Sequence, residues 1–302
     1  MKTVAFVTYN ELPDLNSDDL LAIPELRKLG IQVEPACWDD PSADWAAFDA
    51  VVLRSTWDYH KRIARFGEWL QELADVGAKV FNPLDVIRWN TDKRYLIDLH
   101  RRQVQIVPTA LITRDRAADL PWILESNGWT KAVIKPAISA SSHNTWISDH
   151  STAQRDQTKF VSQLLEGDVL VQAFMQEVIR EGEYSLVFFN KQFSHAVLKK
   201  PRAGDFRTQE IYGGRNTRVV PDPALIAQAQ GILSVLPRPL LYARVDGVAR
   251  GGQFYLMELE LIEPDLGLAF SPTAPAAFAS AIAQSIQRSL QDKQPAFLLT
   301  AK

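Results

Sequence analysis

The stretch Tyr242-Ala-Arg-Val-Asp-Gly-Val-Ala-Arg-Gly-Gly-Gln-Phe-Tyr-Leu-Met-Glu-Leu-Glu260 carries three carboxylates and a guanidinium at spacings that bring them together. Gly251-Gly252, between two runs rich in Val, Tyr, Phe and Leu, signals a β-hairpin. With the loop centred on Gly252, Asp246 lies opposite Glu258 and Arg244 opposite Glu260. Side chains alternate along a strand, so all four share one face. Two readings stand for such a face. Either it meets water, as charged faces of antiparallel strands usually do, or it is buried around cations or a charged ligand that offset the desolvation. In the second case, oxygen-only ligands with no His or Cys favour magnesium, which usually arrives with phosphates.

The elements that must position these groups are legible in outline. Val4 to Val7, Ile31 to Trp38, Ala50 to Leu53 and Lys79 to Phe81 read as strands. Ser17 to Leu29, capped by Asn16 or Ser17 and stopped by Gly30, and Phe66 to Val76 read as helices between them. That βαββαβ order predicts a mainly parallel sheet without a glycine-rich dinucleotide turn. A second unit begins near Asn90 with a capped helix. Strands at Val133 to Pro136 and Thr145 to Ile147 then flank the polar loop Ala137-Ile-Ser-Ala-Ser-Ser-His-Asn144. A helix at Thr158 to Leu165 and a strand at Val169 to Gln172 follow. Beyond these come strands at Tyr184 to Phe189 and Phe193 to Leu198, a helix at Pro223 to Leu236, the hairpin, and a last helix at Ala276 to Leu290.

Composition narrows the partners. The 302 residues are 46% hydrophobic, enough for a large core and two or three subdomains. With 33 basic and 36 acidic residues well mixed, no basic stripe for nucleic acid and no polybasic membrane segment stands out. The N-terminus does not read as a signal peptide and no run reaches membrane-span length, so no membrane partner and a cytoplasmic location are expected. The single Cys37 excludes an internal disulfide and is expected to be a buried, inert thiol.

Five pieces fall in a telling order: Asn90-Thr-Asp-Lys93; Val133-Ile-Lys135-Pro before the polar loop; Val169-Leu-Val-Gln172-Ala-Phe174-Met175; Gly182-Glu183-Tyr-Ser; and Gly204-Asp-Phe-Arg207-Thr-Gln-Glu-Ile-Tyr-Gly213-Gly214. Followed by Asp246, Glu258 and Glu260, they resemble the ATP-grasp superfamily, in particular carboxylate-amine ligases of the glutathione synthetase and D-alanine:D-alanine ligase type. The resemblance implies an α/β (α+β) ATP-grasp fold with a Rossmann-like N-terminal domain. Its units would be a substrate domain over 1–90, a lid subdomain over 91–171, and a subdomain with the magnesium site over 172–302. It also implies ATP and two magnesium ions as cofactors. Lys93 and Lys135 would meet the phosphates together with Ser141 and Ser142. Gln172, Phe174 and Met175 would hold adenine, and Glu183 the ribose, unless Glu177 or Glu181 takes that place. Asp246, Glu258 and Glu260 would bind metal, while Arg207, Lys135 and Arg244 would act in catalysis, Arg207 by bidentate grip on the transferred group. Chemistry in such enzymes is positioning and charge stabilisation of an acyl phosphate, without a protein nucleophile.

Two departures from the family pattern stand out: serines replace the usual glycines of the phosphate loop, and Glu260 stands where relatives usually carry asparagine. His143 reads either as a contact to phosphate or nucleophile or as a surface histidine. Substrate candidates come from loops at the carboxyl edge of the first sheet, namely Asn16, Ser17 and Asp18 after the first strand and Arg54, Thr56 and Asp58 after the third, together with Gly213 and Gly214. Capping and turn chemistry is the competing role for each loop. Leu-Asn-Ser-Asp-Asp, Arg-Ser-Thr-Trp-Asp-Tyr, Trp89-Asn-Thr-Asp-Lys-Arg-Tyr-Leu and Glu-Leu-Glu-Leu-Ile-Glu-Pro264 further resemble the subgroup of homodimeric cyclo-ligases that close the D-cycloserine ring from O-ureido-D-serine. That implies a small amino-acid-like substrate. An intermolecular amino acid or dipeptide ligase, and a non-catalytic ATP-binding regulatory protein, are the alternatives.

Overall fold

The computed structural model describes residues 1–291; the end of the third expected unit, 292–302, lies outside the described residues. Three sheets organise the chain. The first runs β2-β1-β3-β4 and is parallel throughout, with β1 Lys2–Thr8, β2 Ile31–Cys37, β3 Ala50–Leu53 and β4 Val80–Phe81. Its inner strands β1 and β3 read as apolar runs because both faces are covered. Phe6 packs with Leu26, Phe278 and Ile282 on one face, and Val7, Val51 and Leu53 pack with Phe66 and Trp69 on the other. The expected single helix after β1 is two: Ser17–Leu20, capped by Asn16, and Ala22–Lys28. Cys37 is only half-buried, against the expected full burial; desolvation and the nearby Asp39 push its thiol up.

The second sheet, β5-β8-β6-β7, is antiparallel: β5 Thr109–Ile112, β6 Lys131–Pro136, β7 Trp146–Asp149 and β8 Val169–Ala173. The helices Leu120–Ser126 and Ala153–Glu166 cover one face through Leu124, Phe160 and Leu164. The third sheet, β11-β10-β9-β12-β13, comprises β9 Glu183–Phe189, β10 Gln192–Lys200, β11 Arg215–Val219, β12 Tyr242–Arg250 and β13 Gln253–Glu260. Its apolar face packs on the helices Leu84–Asn90, Tyr95–Arg101 and Pro223–Ser234. Among the described residues, no helix is long and apolar enough to cross a membrane.

The hairpin pairs as expected, Asp246 with Glu258 and Arg244 with Glu260, but by a different route. The turn is Gly251-Gly252 alone, both at positive φ, so Arg250 pairs with Gln253. A β-bulge between Asp246 and Gly247 then adds Met257 to β13 and shifts the register by one.

Side chains of the first unit grip the backbone around this hairpin. The Asn82 amide donates to Tyr242 O at 2.9 Å and Leu261 O at 2.8 Å and accepts from Leu241 N at 2.7 Å, all buried. Asn90, expected as a cap, instead donates to Leu259 O and accepts from Leu261 N, both at 2.9 Å. Replacing Asn82 with Leu strands three buried backbone groups, and a loss of about 3 kcal/mol is expected, read as an earlier midpoint in urea.

Candidate active site

A cavity of 510 Å³ lies between the second and third sheets and reaches the first unit at Trp57 and Tyr59. Asp246, 1% exposed, accepts 2.6 Å from Ser185 Oγ on β9 and 2.9–3.0 Å from Arg244 Nη2 and Nε. Burial works to raise its pKa, but Arg244 and Lys199 outweigh it and hold the carboxyl below the usual range. Glu258 meets Lys93 Nζ at 3.0 Å. Against the burial, Lys93 and Lys135 pull its carboxyl down to about 2. Glu260 behaves oppositely: burial and the charges of Asp246, Glu258 and Glu263 push it up to about 8, although Arg244 Nη2 bonds to it. The face is therefore ionic, buried at Arg244 and Asp246 and half-buried at Glu258 and Glu260.

The two lysines come from separate elements. Lys93 sits in the turn between two helices, its amide donating 2.8 Å to Ala137 O and its Nζ bonding to Ser139 O. Lys135 lies on β6, 8% exposed, and burial lowers its pKa. Past Pro136 the loop runs through Ser141, Ser142 and Asn144 at φ of 51°, 56° and 52°. Serine and asparagine thus adopt the left-handed backbone that glycine usually supplies, at a cost on the order of 1 kcal/mol each. His143 packs its ring 5.8 Å from that of His60, outside the cavity. At the far end, Gln172 bonds Thr109 Oγ1 at 2.9 Å, while Phe174 and the buried Met175 line an apolar wall with Val178. Glu183 accepts 2.9 Å from Thr208 Oγ1, its pKa raised by burial and by Asp246 despite Lys199.

Several candidates stand elsewhere. Arg207 is turned to Asp205, with Nη2 2.9 Å away, and its guanidinium stacks 3.7 Å from the Tyr212 ring centre, so it does not line the cavity. Gly213 and Gly214 are the backbone of that loop: a Cβ on Gly214 would stand 2.0 Å from Thr208 O. Arg244 does line the cavity, but its guanidinium is committed to Asp246, Glu260 and Asp265 O. Arg54 is fully buried, donating 2.8 Å to Asp19 Oδ1 and 2.9 Å to Pro264 O. Asn16 caps its helix and bonds Ser55 and Asp19. Asp58 accepts from Trp38 Nε1 and Arg62, Thr56 is buried, and Ser17 is on the surface. Asp18 accepts from Ala269 N at 2.9 Å, behind the cavity wall; burial and the neighbouring Asp265 raise its carboxyl to about 6.

Residues missed in the sequence fill these places. Trp57 and Tyr59, the odd members of the loop after β3, face the cavity, joined by Lys199, Asn216, Glu263 and Asp265. Lys199 was findable from the alternation of β10, but Glu263 was not, since it lies past the last strand.

The ionic lining shows which cation it would take. Glu183, Glu210, Asp246, Glu258, Glu260, Glu263 and Asp265 face only Lys93, Lys135, Lys199 and Arg244, an excess of acid supplied by oxygen donors alone. That chemistry fits a hard divalent cation. The three expected metal carboxylates do not, however, converge: among the described residues no group of three acids or His/Cys forms a metal-holding cluster. Arg244 instead links Asp246 to Glu260, and Lys93 holds Glu258.

Burial of Glu263 raises its carboxyl from 4.5 to about 7. The folded protein thus keeps a proton there that the unfolded chain releases, a stabilisation complete below pH 4.5 and lost as pH rises through about 7. Glu263→Gln is expected to stabilise the ligand-free protein by about 1–3 kcal/mol at pH 8 and much less at pH 5, read from melting temperatures at the two pH values.

Comparison with known proteins agrees with this architecture. The D-alanine–D-alanine ligase from Bacillus anthracis, complexed with ATP, superposes with a TM-score of 0.69 at 14% identity, covering 96% of this chain and 99% of that one. With its parallel N-terminal sheet and a cleft between two antiparallel sheets, the protein is an ATP-grasp ligase, an enzyme that joins its substrates at the expense of ATP. Residues 4–82 match the family model of the D-cycloserine synthetase DcsG N-terminal domain. The cycloserine biosynthesis protein DcsG of Streptomyces lavendulae is 31% identical over 277 residues, 86% of this chain and 91% of the relative. The crystal structure of D-cycloserine synthetase DcsG matches with a TM-score of 0.84 at 28% identity, covering 94% of this chain and 99% of that one. The chain belongs to the DcsG family.

Proposed function

We propose that the enzyme activates the carboxylate of a small amino-acid-like substrate as an acyl phosphate and closes a ring on it, as in D-cycloserine formation from O-ureido-D-serine. The substrate carboxylate would attack the γ-phosphorus and release ADP; the oxygen-linked nitrogen of the same substrate would then attack the acyl carbon and expel phosphate, and water would cleave the carbamoyl group from that nitrogen as carbamate, which falls apart to carbon dioxide and ammonia. The observation that carries this reading is the burial of Lys93 and Lys135 beside Glu258 and Asp246 at one end of a cavity whose other end is apolar. Lys93, Lys135 and the Ser141-Ser142 loop would bind the phosphates, Gln172, Phe174 and Met175 the base, and Glu183 the ribose. Magnesium, as two ions held from Asp246, Glu258 and Glu260, would neutralise phosphate charge. Arg244 would have to exchange partners when substrate or metal enters, and Arg207 would have to leave Asp205. In this reading 1–90 contributes to the substrate end, 91–171 the lid and 172–302 the ionic hairpin, in a cytoplasmic homodimer.

The test is release of phosphate on adding magnesium, ATP and O-ureido-D-serine, with products read by mass. Turnover without a second amine supports ring closure; turnover only with a second amino acid shows intermolecular ligation. ATP binding without turnover across a broad amino-acid panel would show a regulatory binder instead.

A further inference from the structure

Glu263 sits in the segment that leaves β13, lines the cavity and is 8% exposed. Around it, the other acids have partners: Asp246 and Glu260 share Arg244, Glu258 has Lys93, and Asp19 has Arg54. Among the described residues, no ion pair and no side-chain donor reaches the Glu263 carboxylate. A carboxylate nine-tenths buried, with only its own backbone N–H as a hydrogen-bond donor, is costly to keep charged, and a cation arriving beside it lowers that cost.

Its surroundings say which kind of cation. Trp57 donates its indole N–H to Glu263 O at 3.1 Å, which fixes the ring at this end of the cavity. The Tyr59 ring, buried but lining the same cavity, is the other aromatic here, and Glu263 is the strongest charge acting on its phenol. Behind, Asp265 also lines the cavity and faces Asp18, whose Oδ2 is buried with no partner. Aromatic walls with a negative floor favour an organic ammonium, since ring faces attract it. A hard metal ion would want oxygens where these rings stand.

We infer that Glu263 accepts the α-ammonium group of the substrate, in a subsite walled by Trp57 and Tyr59 and backed by Asp265 and Asp18. The inference rests on the reading of the cavity as that of an amino-acid-activating ligase. It makes this end of the cavity the determinant of amino-acid specificity: a carboxylic acid without the amino group leaves Glu263 buried and unpaired. With the ammonium anchored here, the substrate carboxylate is directed toward Lys93 and Lys135.

The experiment is calorimetric titration of the magnesium-ADP-loaded protein with O-ureido-D-serine and with 3-(ureidooxy)propanoate, which differ only in the amino group. The unaltered protein is expected to bind the amino form roughly 30- to 100-fold more tightly. Glu263→Gln is expected to bring the two affinities within about threefold by removing the charge the ammonium meets, with ADP affinity unchanged. Equal binding of both ligands by the unaltered protein overturns the inference, as does failure to bind either, and so does a variant that keeps the full preference. The first comparison needs no substitution, so it decides even if the variant does not fold. Phosphate release measured in parallel separates the two readings. A preference erased by Glu263→Gln without release for either ligand keeps the ammonium subsite and removes O-ureido-D-serine as the activated substrate; release with equal affinities does the reverse.

Discussion

Glu258→Gln is expected to lower the rate of phosphate release by about 10³-fold while leaving the circular dichroism close to that of the parent. The size follows from where the carboxylate stands. Its partner Lys93 is 3.0 Å away and Lys135 is close enough to act on its titration, so one negative charge serves two buried cations. Glutamine keeps the shape but leaves the lysines repelling each other and, in the proposed reaction, withdraws a charged oxygen from the metal that meets the phosphates. Some stability is lost as well, since the depressed carboxyl shows that its attraction to Lys93 and Lys135 outweighs its desolvation. A variant that retained more than a tenth of the parental rate would remove Glu258 from the phosphoryl-transfer machinery.

Arg54→Met should act in the opposite way, on the fold and not on the substrate. Arg54 and Asp19 both have fully buried side chains, paired at 2.8 Å. The guanidinium also holds Pro264 O and lies 5.1 Å and 5.4 Å from the ring centres of Tyr242 and Phe278. Removing one partner of such a pair strands a buried charge, and a loss of about 3–5 kcal/mol is expected. That corresponds to a fall of roughly 10 °C in melting temperature for a chain of this size. A raised KM for the amino-acid substrate with unchanged melting would return Arg54 to the substrate site.

What the sequence revealed, and what it hid, divides along a physical line. Groups fixed by repeating geometry were legible, as in the parallel order of the first sheet, whereas the pairing of Asp246 with Glu258 came out as expected only because a bulge offset the turn. The ordered motifs also pointed to Lys93 and Lys135, both of which line the cavity. Groups placed by irregular backbone were not. The chain leaves β3 at Leu53, and in the loop that follows it is Trp57 and Tyr59, not Arg54, Thr56 and Asp58, that turn to the cavity. No periodicity governs a loop, so polar character was a poor guide there: Arg54 and Asp58 bond inward, Thr56 is buried, and the aromatic members line the site. Arg244 shows a different limit. Its opposition to Glu260 was readable, but not that it would bond Asp246 on its own strand as well, because that depends on rotamers. Glu263 and Asp265 depended on how the chain runs after β13, which no local pattern encodes.

The extra residue in β13 has a consequence for the medium inside the cavity. In a regular strand Met257 and Glu258 would point to opposite faces; at the bulge two residues oppose one, and both line the same cavity. Burial along β13 alternates up to Leu256, then breaks at Met257 and Glu258 before resuming at Leu259. Met257 continues the apolar cluster of Met175 and Val178, whereas Glu258 opens the ionic end with Lys93. One unpaired residue thus marks a dielectric frontier: a nucleotide lying along the hairpin would pass from an oil-like surrounding to a salt-like one within a single peptide unit.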